Sequence, residues 1–376
     1  MDKKLTVGIL FGGKSVEHEI SLLSAKNICD AIDRRKFRPV LIGIDKDGRW
    51  RMYKESGFLV NSGDARTISL AQGGVPAALL PECGGALSVE SETVHGFKDI
   101  FASETETAET LDVVFPILHG PYGEDGTVQG LLKIANVPFV GPGVTGSAVG
   151  MDKDVMKRLL HEAGIPIVKF LVVREHEKKP EYREICAALG SPFFIKPANT
   201  GSSVGISKAH NEVEYTAALK DAFLYDTKVI MEEYVAGREL ECGVLGNEEP
   251  AASEVGEVIT THEFYSYDAK YLDENGAALE IPAKIDGAIK KQIQLMAVKT
   301  FQILGCEGIS RVDFFLRDKE VIVNEINTMP GFTSISMYPK LWEASGVSYT
   351  DLITRLIELG ISRYEKESRI KTKVGE

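Results

Sequence analysis

The segment at residues 311–336, RVDFFLRDKEVIVNEINTMPGFTSIS, restricts the fold more than any other part of the chain. RVDFF and VIVNEIN are rich in β-branched and aromatic residues, and the polar RDKE between them is short enough to close a hairpin. Successive strand side chains point to opposite faces. Arg311 and Asp313 are therefore expected on one face, and Val321, Val323, Glu325 and Asn327 on a shared face that begins apolar and ends in oxygen donors. An Asp on one strand, with a Glu and an Asn at the end of its neighbour, gathers hard oxygens; Mg²⁺ takes such a set and completes its octahedron with phosphate oxygens and water. Arg311 beside them suits a phosphate or a developing oxyanion. Taken singly, each is an ordinary solvated strand position. Four together at the ends of otherwise apolar strands, directly before the turn-rich TMPGFTS, point to a metal and phosphate site.

A chain of 376 residues exceeds one typical domain and predicts two or three, each able to bury its own core. Its 43 basic against 55 acidic side chains give a net charge of −12, which speaks against a nucleic-acid binder. Cys29, Cys83, Cys186, Cys242 and Cys306 are odd in number and lie far apart without a CxxC pair. They read as reduced core residues of a cytosolic protein, not as a disulfide framework or a zinc site. The opening MDKKLTVGILFGG has too short an apolar run for a signal peptide, and no stretch predicts a membrane span.

LTVGILF predicts a buried strand, and GGKS turns it into the helix SLLSAKNICDAI. Gly8 followed at the right interval by Gly13-Lys14-Ser15 matches a phosphate-loop pattern in letters only, because Ile9, Leu10 and Phe11 belong to the strand and Glu17 and Glu19 follow where a phosphate would sit. The segment instead opens a doubly wound α/β domain whose helix start faces a ligand cleft. Glu17 there either complements the helix dipole or binds a ligand ammonium. Residues 39–44 are a further strand, and residues 46–110 are a weakly patterned elaboration without a site signal. His119, at the end of strand DVVFPIL, either lines a cleft or caps the turn.

MDKDVMKRLLHEAGIP predicts a helix capped by Asp152, with Val155, Leu159, Leu160 and Ala163 as its buried stripe. PFFIKPANTGSSVGISKA places Lys196 at a strand end before a loop of small residues, which reads as a phosphate loop or as a plain hairpin turn. KVIMEEYVAGRELECGVL gives two strands with Glu232, Glu233 and Glu239 clustered, either acceptors for adenine and ribose or a solvated acidic turn. The long aromatic THEFYSYDAKYLDENGA reads as a lid, and residues 285–305 as an amphipathic helix with Ile285, Ile289, Ile293 and Met296 inward.

Jointly GGKSVEHEISL, HGPYGEDG, MDKDVMKRLL, IKPANTGSSVG, YDAKY, RVDFF and NEINTMPGFTSISMYPKLW resemble the ATP-grasp superfamily and, within it, the D-alanine:D-alanine ligases. The likeness covers nearly the whole chain except residues 46–110. It implies an ATP-grasp fold of α/β class (α+β overall). An N-terminal α/β domain (1–150) would precede a central subdomain (151–232) and a C-terminal subdomain (233–376) with a lid near 254–276. It implies ATP-dependent joining of two D-alanines through an acyl phosphate, in the cytoplasm, by a homodimer using two Mg²⁺ or Mn²⁺.

By the resemblance, Lys153, Lys196, Ser202, Ser203, Glu232, Glu233, Val235, Glu239, Phe264, Lys270 and Asn324 hold ATP, and Asp313, Glu325 and Asn327 hold the metals. Glu17 and His119 meet the first D-alanine, Arg311 and Gly331 the tetrahedral intermediate, and Ser336 with Met337 the second D-alanine. Ser202 and Tyr271 link Glu17 to the lid, and Tyr271 marks a dipeptide-forming rather than a depsipeptide-forming enzyme. The rival readings are a ligase of another carboxylate and amine, a D-alanine:D-lactate ligase, a nucleotide binder without turnover, and a P-loop NTPase.

Overall fold

The structure, a computed structural model, describes residues 3–64, 66–81, 84–89, 107–260 and 277–371. The first segment contains β1 (Leu5–Gly12), α1 (His18–Ala31), β2 (Phe37–Ile44), β3 (Trp50–Tyr53), β4 (Leu59–Val60), β5 (Ser69–Leu70), β6 (Val75–Leu79), β7 (Ala86–Val89), β8 (Thr107–Thr110), β9 (Val113–Ile117), α2 (Thr127–Ile134) and α3 (Val144–Met151). The parallel, doubly wound part is β2-β1-β9. Both faces of β1 are covered, which is why LTVGILF reads as one apolar run. Val7, Ile9 and Phe11 face one cluster with Leu22 and Ile28 of α1, while Leu10 faces another with Leu132 of α2. The described residues within 46–110, in which the sequence showed little pattern, extend this sheet and add a small one: β3, β6, β7 and β8 continue antiparallel from β2 one after another, giving the order β8-β7-β6-β3-β2-β1-β9, while β4 and β5 pair with each other.

The next segment holds α4 (Lys153–Glu162), β10 (Phe170–Arg174), α5 (Tyr182–Leu189), β11 (Phe193–Pro197), β12 (Ser207–Ala209), α6 (Glu212–Ala222) and β13 (Lys228–Glu233), with an antiparallel sheet in the order β10-β13-β11-β12. The last contains β14 (Arg238–Gly246), β15 (Ala251–Thr260), β16 (Ala277–Glu280), α7 (Gly287–Ile303), β17 (Gly308–Arg317), β18 (Glu320–Asn327), α8 (Met337–Ala344) and α9 (Tyr349–Glu367), with its sheet in the order β16-β15-β14-β17-β18. The chain changes sheets between Glu233 and Arg238, so the two strands of KVIMEEYVAGRELECGVL lie in different sheets. Strand β15 runs on to Thr260. The expected lid residues Phe264, Lys270 and Tyr271 lie outside the described residues, as does Cys83.

Two expectations from periodicity are corrected. Asp152 does cap α4, accepting from the Asp154 and Val155 amides, but the helix buries Lys153, Asp154, Met156, Lys157 and Leu160, while Val155 and Leu159 are exposed. Residues 153, 156, 157 and 160 keep helical spacing; the rule that lysines face solvent pointed to the wrong face. Likewise Val321 and Val323 do not share a face with Glu325 and Asn327. Asp313 pairs with Glu325 and Phe314 with Val323, so Asn324 is the extra residue of a β-bulge. The bulge leaves Val321 and Val323 in the core with Val312 and Phe314, and turns Glu325 and Asn327 to the face of Arg311 and Asp313.

Candidate active site

The bulged hairpin floors a cleft of about 400 Å³ between the three segments. Cross-strand partners share a face of a sheet, so the pairs Arg311–Asn327, Asp313–Glu325 and Glu241–Asp313 put five polar groups on one surface. Arg311 donates from Nε to Asp313 Oδ1 at 2.7 Å and from a terminal nitrogen to Oδ2 at 2.8 Å; its Nε also lies 2.7 Å from Glu241 Oε2. The Asn327 amide donates to Asp313 Oδ2 at 2.9 Å. Among the described residues no three His, Cys, Asp or Glu side chains form a metal cage. The donor set is two carboxylates and an amide oxygen, all hard, and it fits a divalent cation that draws its remaining ligands from phosphate and water.

At one end stand the lysines. Lys196, at the end of β11 as the sequence placed it, donates to Glu232 Oε2 at 2.6 Å. Lys157 reaches the other oxygen of Glu232 at 3.0 Å. Burial opposes the charge on Glu232, but the two ammonium groups overcome it and hold the carboxyl at about 2. Burial likewise works against the charge on Lys196; Glu232 and Glu325 outweigh it and raise the ammonium above its ordinary value. Lys153 donates to the Thr200 carbonyl at 2.7 Å and lies 3.7 Å from Glu325 Oε2. Val235, Glu239, Ser203 and Asn324 line the cleft here. Glu232 and Glu233 do not: Glu232 shares a face with Phe194 and Lys196, but its carboxylate is taken up between Lys157 and Lys196, and Glu233, on the opposite face, accepts from the Lys169 amide at 3.0 Å.

At the other end is Glu17, just ahead of α1 and 6% exposed. Ser202 donates its hydroxyl to Glu17 Oε1. The glycine-serine loop comes this close because Gly201 lacks a Cβ, which would sit 2.9 Å from Glu17 Oε2, and because Ser202 and Ser203 adopt φ of 49° and 61°. Gly120, at φ +74°, is needed in the same way: a Cβ there would lie 2.7 Å from Glu17 Oε2. His119 is buried beside this pocket, 3.5 Å from Glu124 Oε1. Burial alone would lower its pKa; the hydrogen bond and charge of Glu124, with Glu17 behind, raise it.

The loop after β18 is stitched to α1, since the Phe332 amide donates to Ser24 Oγ at 3.1 Å and Asn27 donates to the Phe332 carbonyl at 3.1 Å. That brings Gly331, Ser336 and Met337 to the wall of the same cleft. Ser336 Oγ accepts from the Thr333 amide at 2.9 Å.

Apart from Glu232 and Glu233, every expected site residue among the described ones lines this cleft. The sequence reading missed Glu241, Glu124 and Lys157. The alternation in RELECG would have placed Glu241 on the face of Glu239, whereas Lys157 carried no sequence signal distinct from a surface lysine.

The family model described as the D-ala D-ala ligase N-terminus matches residues 6–142, and the one for the C-terminus matches residues 159–358. A D-alanine–D-alanine ligase of Oceanobacillus iheyensis is 50% identical over 371 residues, with 98% of both chains covered. The structure of the D-alanine-D-alanine ligase from Coxiella burnetii aligns with a TM-score of 0.81 and 35% identity, covering 98% of this chain and 97% of that one. VanG D-Ala:D-Ser ligase from Enterococcus faecalis aligns with a TM-score of 0.81 and 35% identity, covering 95% of this chain and 100% of that one. With both family models matched in order and half its residues shared with such a ligase from end to end, the chain belongs to the D-alanine–D-alanine ligase family.

Proposed function

We propose that the chain joins two D-alanines into D-alanyl-D-alanine, with cleavage of ATP to ADP and phosphate, as a step in making peptidoglycan precursors. The carrying observation is that one cleft runs from Glu17 past Arg311 and Asp313 to Lys196, so an amino acid, a phosphoryl group and a nucleotide fit end to end.

Glu17, oriented by Ser202, takes the ammonium of the first D-alanine, with His119 alongside. Lys153 and Lys196, with Ser203 and Asn324, hold the phosphates, and Val235 and Glu239 hold adenine and ribose. Glu232 acts through Lys196. Asp313, Glu325 and Asn327 hold two Mg²⁺ or Mn²⁺, which when bound neutralise charge on the transferring phosphoryl group. The first carboxylate forms a bond to the γ-phosphorus as the bond to ADP breaks. The amine of the second D-alanine then attacks the acyl carbon. Arg311 and the Gly331 amide stabilise the oxyanion until phosphate leaves, while Ser336 and Met337 seat the second substrate. Phe264, Lys270 and Tyr271 are assigned by the sequence motif to a lid that shields the acyl phosphate from water.

We assign residues 1–150 to the first substrate and 151–232 and 233–376 to the two halves of the nucleotide clamp, and we infer a cytoplasmic homodimer. No helix among the described residues is long and apolar enough to cross a membrane.

Phosphate release from Mg-ATP with D-alanine, L-alanine or no amino acid, with products identified by mass, tests the proposal. Release that requires D-alanine and yields the dipeptide is expected; release independent of D-alanine overturns it. Because one structural neighbour is a D-Ala:D-Ser ligase, the second reading is a D-serine acceptor. D-serine and D-lactate competed against D-alanine decide the acceptor.

A further inference from the structure

Among the described residues, Lys157 is the largest fully buried charged side chain, and the proposed reaction leaves it unused. It is fully buried and is not among the residues that line the cleft. Its ammonium joins both halves of the clamp: from α4 it donates to the carbonyl of Asn324 on β18 at 2.9 Å, and it lies 3.0 Å from Glu232 Oε1 on β13. Both contacts sit at points where the site is decided. Asn324 is the bulge residue that turns Glu325 and Asn327 into the cleft, and Glu232 is the carboxylate paired with Lys196.

We infer that Lys157 is a positioning residue for nucleotide binding: it pins the Asn324 bulge and shares the charge of Glu232, so that Lys196 faces the cleft with positive charge to spare. This rests on the reading of the cleft as an ATP site. Within the trio Lys157, Lys196 and Glu232, two ammonium groups face one carboxylate, and of the two lysines only Lys196 reaches the cleft wall, where Glu325 also acts on it. Without Lys157, Lys196 and Glu232 neutralise each other, and the bulge carbonyl loses its buried donor. A helix and a strand end from one segment and a bulge from another converge on one ammonium group, whereas a lysine serving only to hold α4 would need no carbonyl at the bulge.

The test compares the unaltered protein with Lys157→Met, of similar length without charge, and Lys157→Gln, which keeps a donor. The readouts are the Kd for Mg-ADP by calorimetry, KM for ATP, KM for D-alanine at its first site, kcat, and the unfolding midpoint. Expected are a Kd for Mg-ADP and a KM for ATP at least tenfold weaker in both variants, with KM for D-alanine within about twofold. If the Met variant does not fold, the Gln variant carries the comparison. Nucleotide affinity within twofold of the unaltered protein overturns the inference, as does a parallel rise in both KM values, which marks general loosening. No Mg-ADP binding by the unaltered protein overturns the ATP reading and this inference with it; binding there but unchanged in the variants overturns only the role of Lys157.

Discussion

Arg311 shows how much one side chain does here. Its guanidinium is held between Asp313 and Glu241, so it is pre-aimed with little rotamer freedom left to lose. Arg311→Ala is expected to bind nucleotide within a few-fold of normal while kcat falls about 10²–10³-fold, the scale for removing one oxyanion partner. Steady-state kinetics beside ADP titration checks this, and undiminished turnover removes Arg311 from the mechanism. Glu232 carries a pH consequence. Its carboxyl titrates at about 2 in the fold against an ordinary 4.5, so it stabilises the folded state above pH 4.5 and loses that contribution as pH falls toward 2. Urea unfolding at stepped pH should show a decline over this acid window that is shallower in Glu232→Gln.

At the scale of elements, α4 and the β17–β18 hairpin make the site by departing from ideal patterns. Helix α4 buries lysines because their counter-charges are built into the strands it packs on: Lys157 against Glu232, and Lys153 near Glu325. The face assignment is open to direct measurement. Leu160→Ala empties a fully buried position and should cost about 2–5 kcal/mol, whereas Leu159→Ala, at 39% exposure, should cost less than about 1 kcal/mol. Denaturant midpoints for the two variants decide it, and equal losses would contradict the observed orientation. In the hairpin, the bulge at Asn324 gives up one ladder position and in exchange brings Glu325 and Asn327 round to Asp313.

In the whole molecule, the last helix returns to the N-terminal sheet. Arg363 of α9, 5% exposed, donates to the carbonyls of Phe139, at 2.9 Å, and Gly141, and stacks on the Phe139 ring at 4.3 Å. Gly360 of the same helix passes so close to the Phe139 carbonyl that a Cβ would sit 2.5 Å from its oxygen. These contacts tie residues 139–141 to α9, which itself packs on β17, the strand that carries Arg311. Arg363→Met leaves two buried carbonyls without their donor and should destabilise the protein by about 1–3 kcal/mol for each, read as a fall in the calorimetric unfolding midpoint. An unchanged midpoint would mean that this junction bears no load.

How much of this was legible beforehand follows from the kind of signal each feature leaves. Strand runs, the Asp152 cap and Lys196 at a strand end are set by local alternation, spacing and side-chain chemistry, and they could be read from the sequence, as could the choice of Asp313, Glu325 and Asn327 by their oxygen donors, though not the face they share. The antiparallel extension at residues 46–110 could not, since its strands are short and pair across chain segments that leave no periodic trace. The bulge at Asn324 was also hidden, because a one-residue slip in register depends on the partner strand and not on the slipped residue. Lys157 is the clearest division. Sequence by itself determined a helix there with a lysine on one of its faces; only the tertiary structure, by setting Glu232 and the Asn324 carbonyl opposite that face, decided that burying the charge is tolerable.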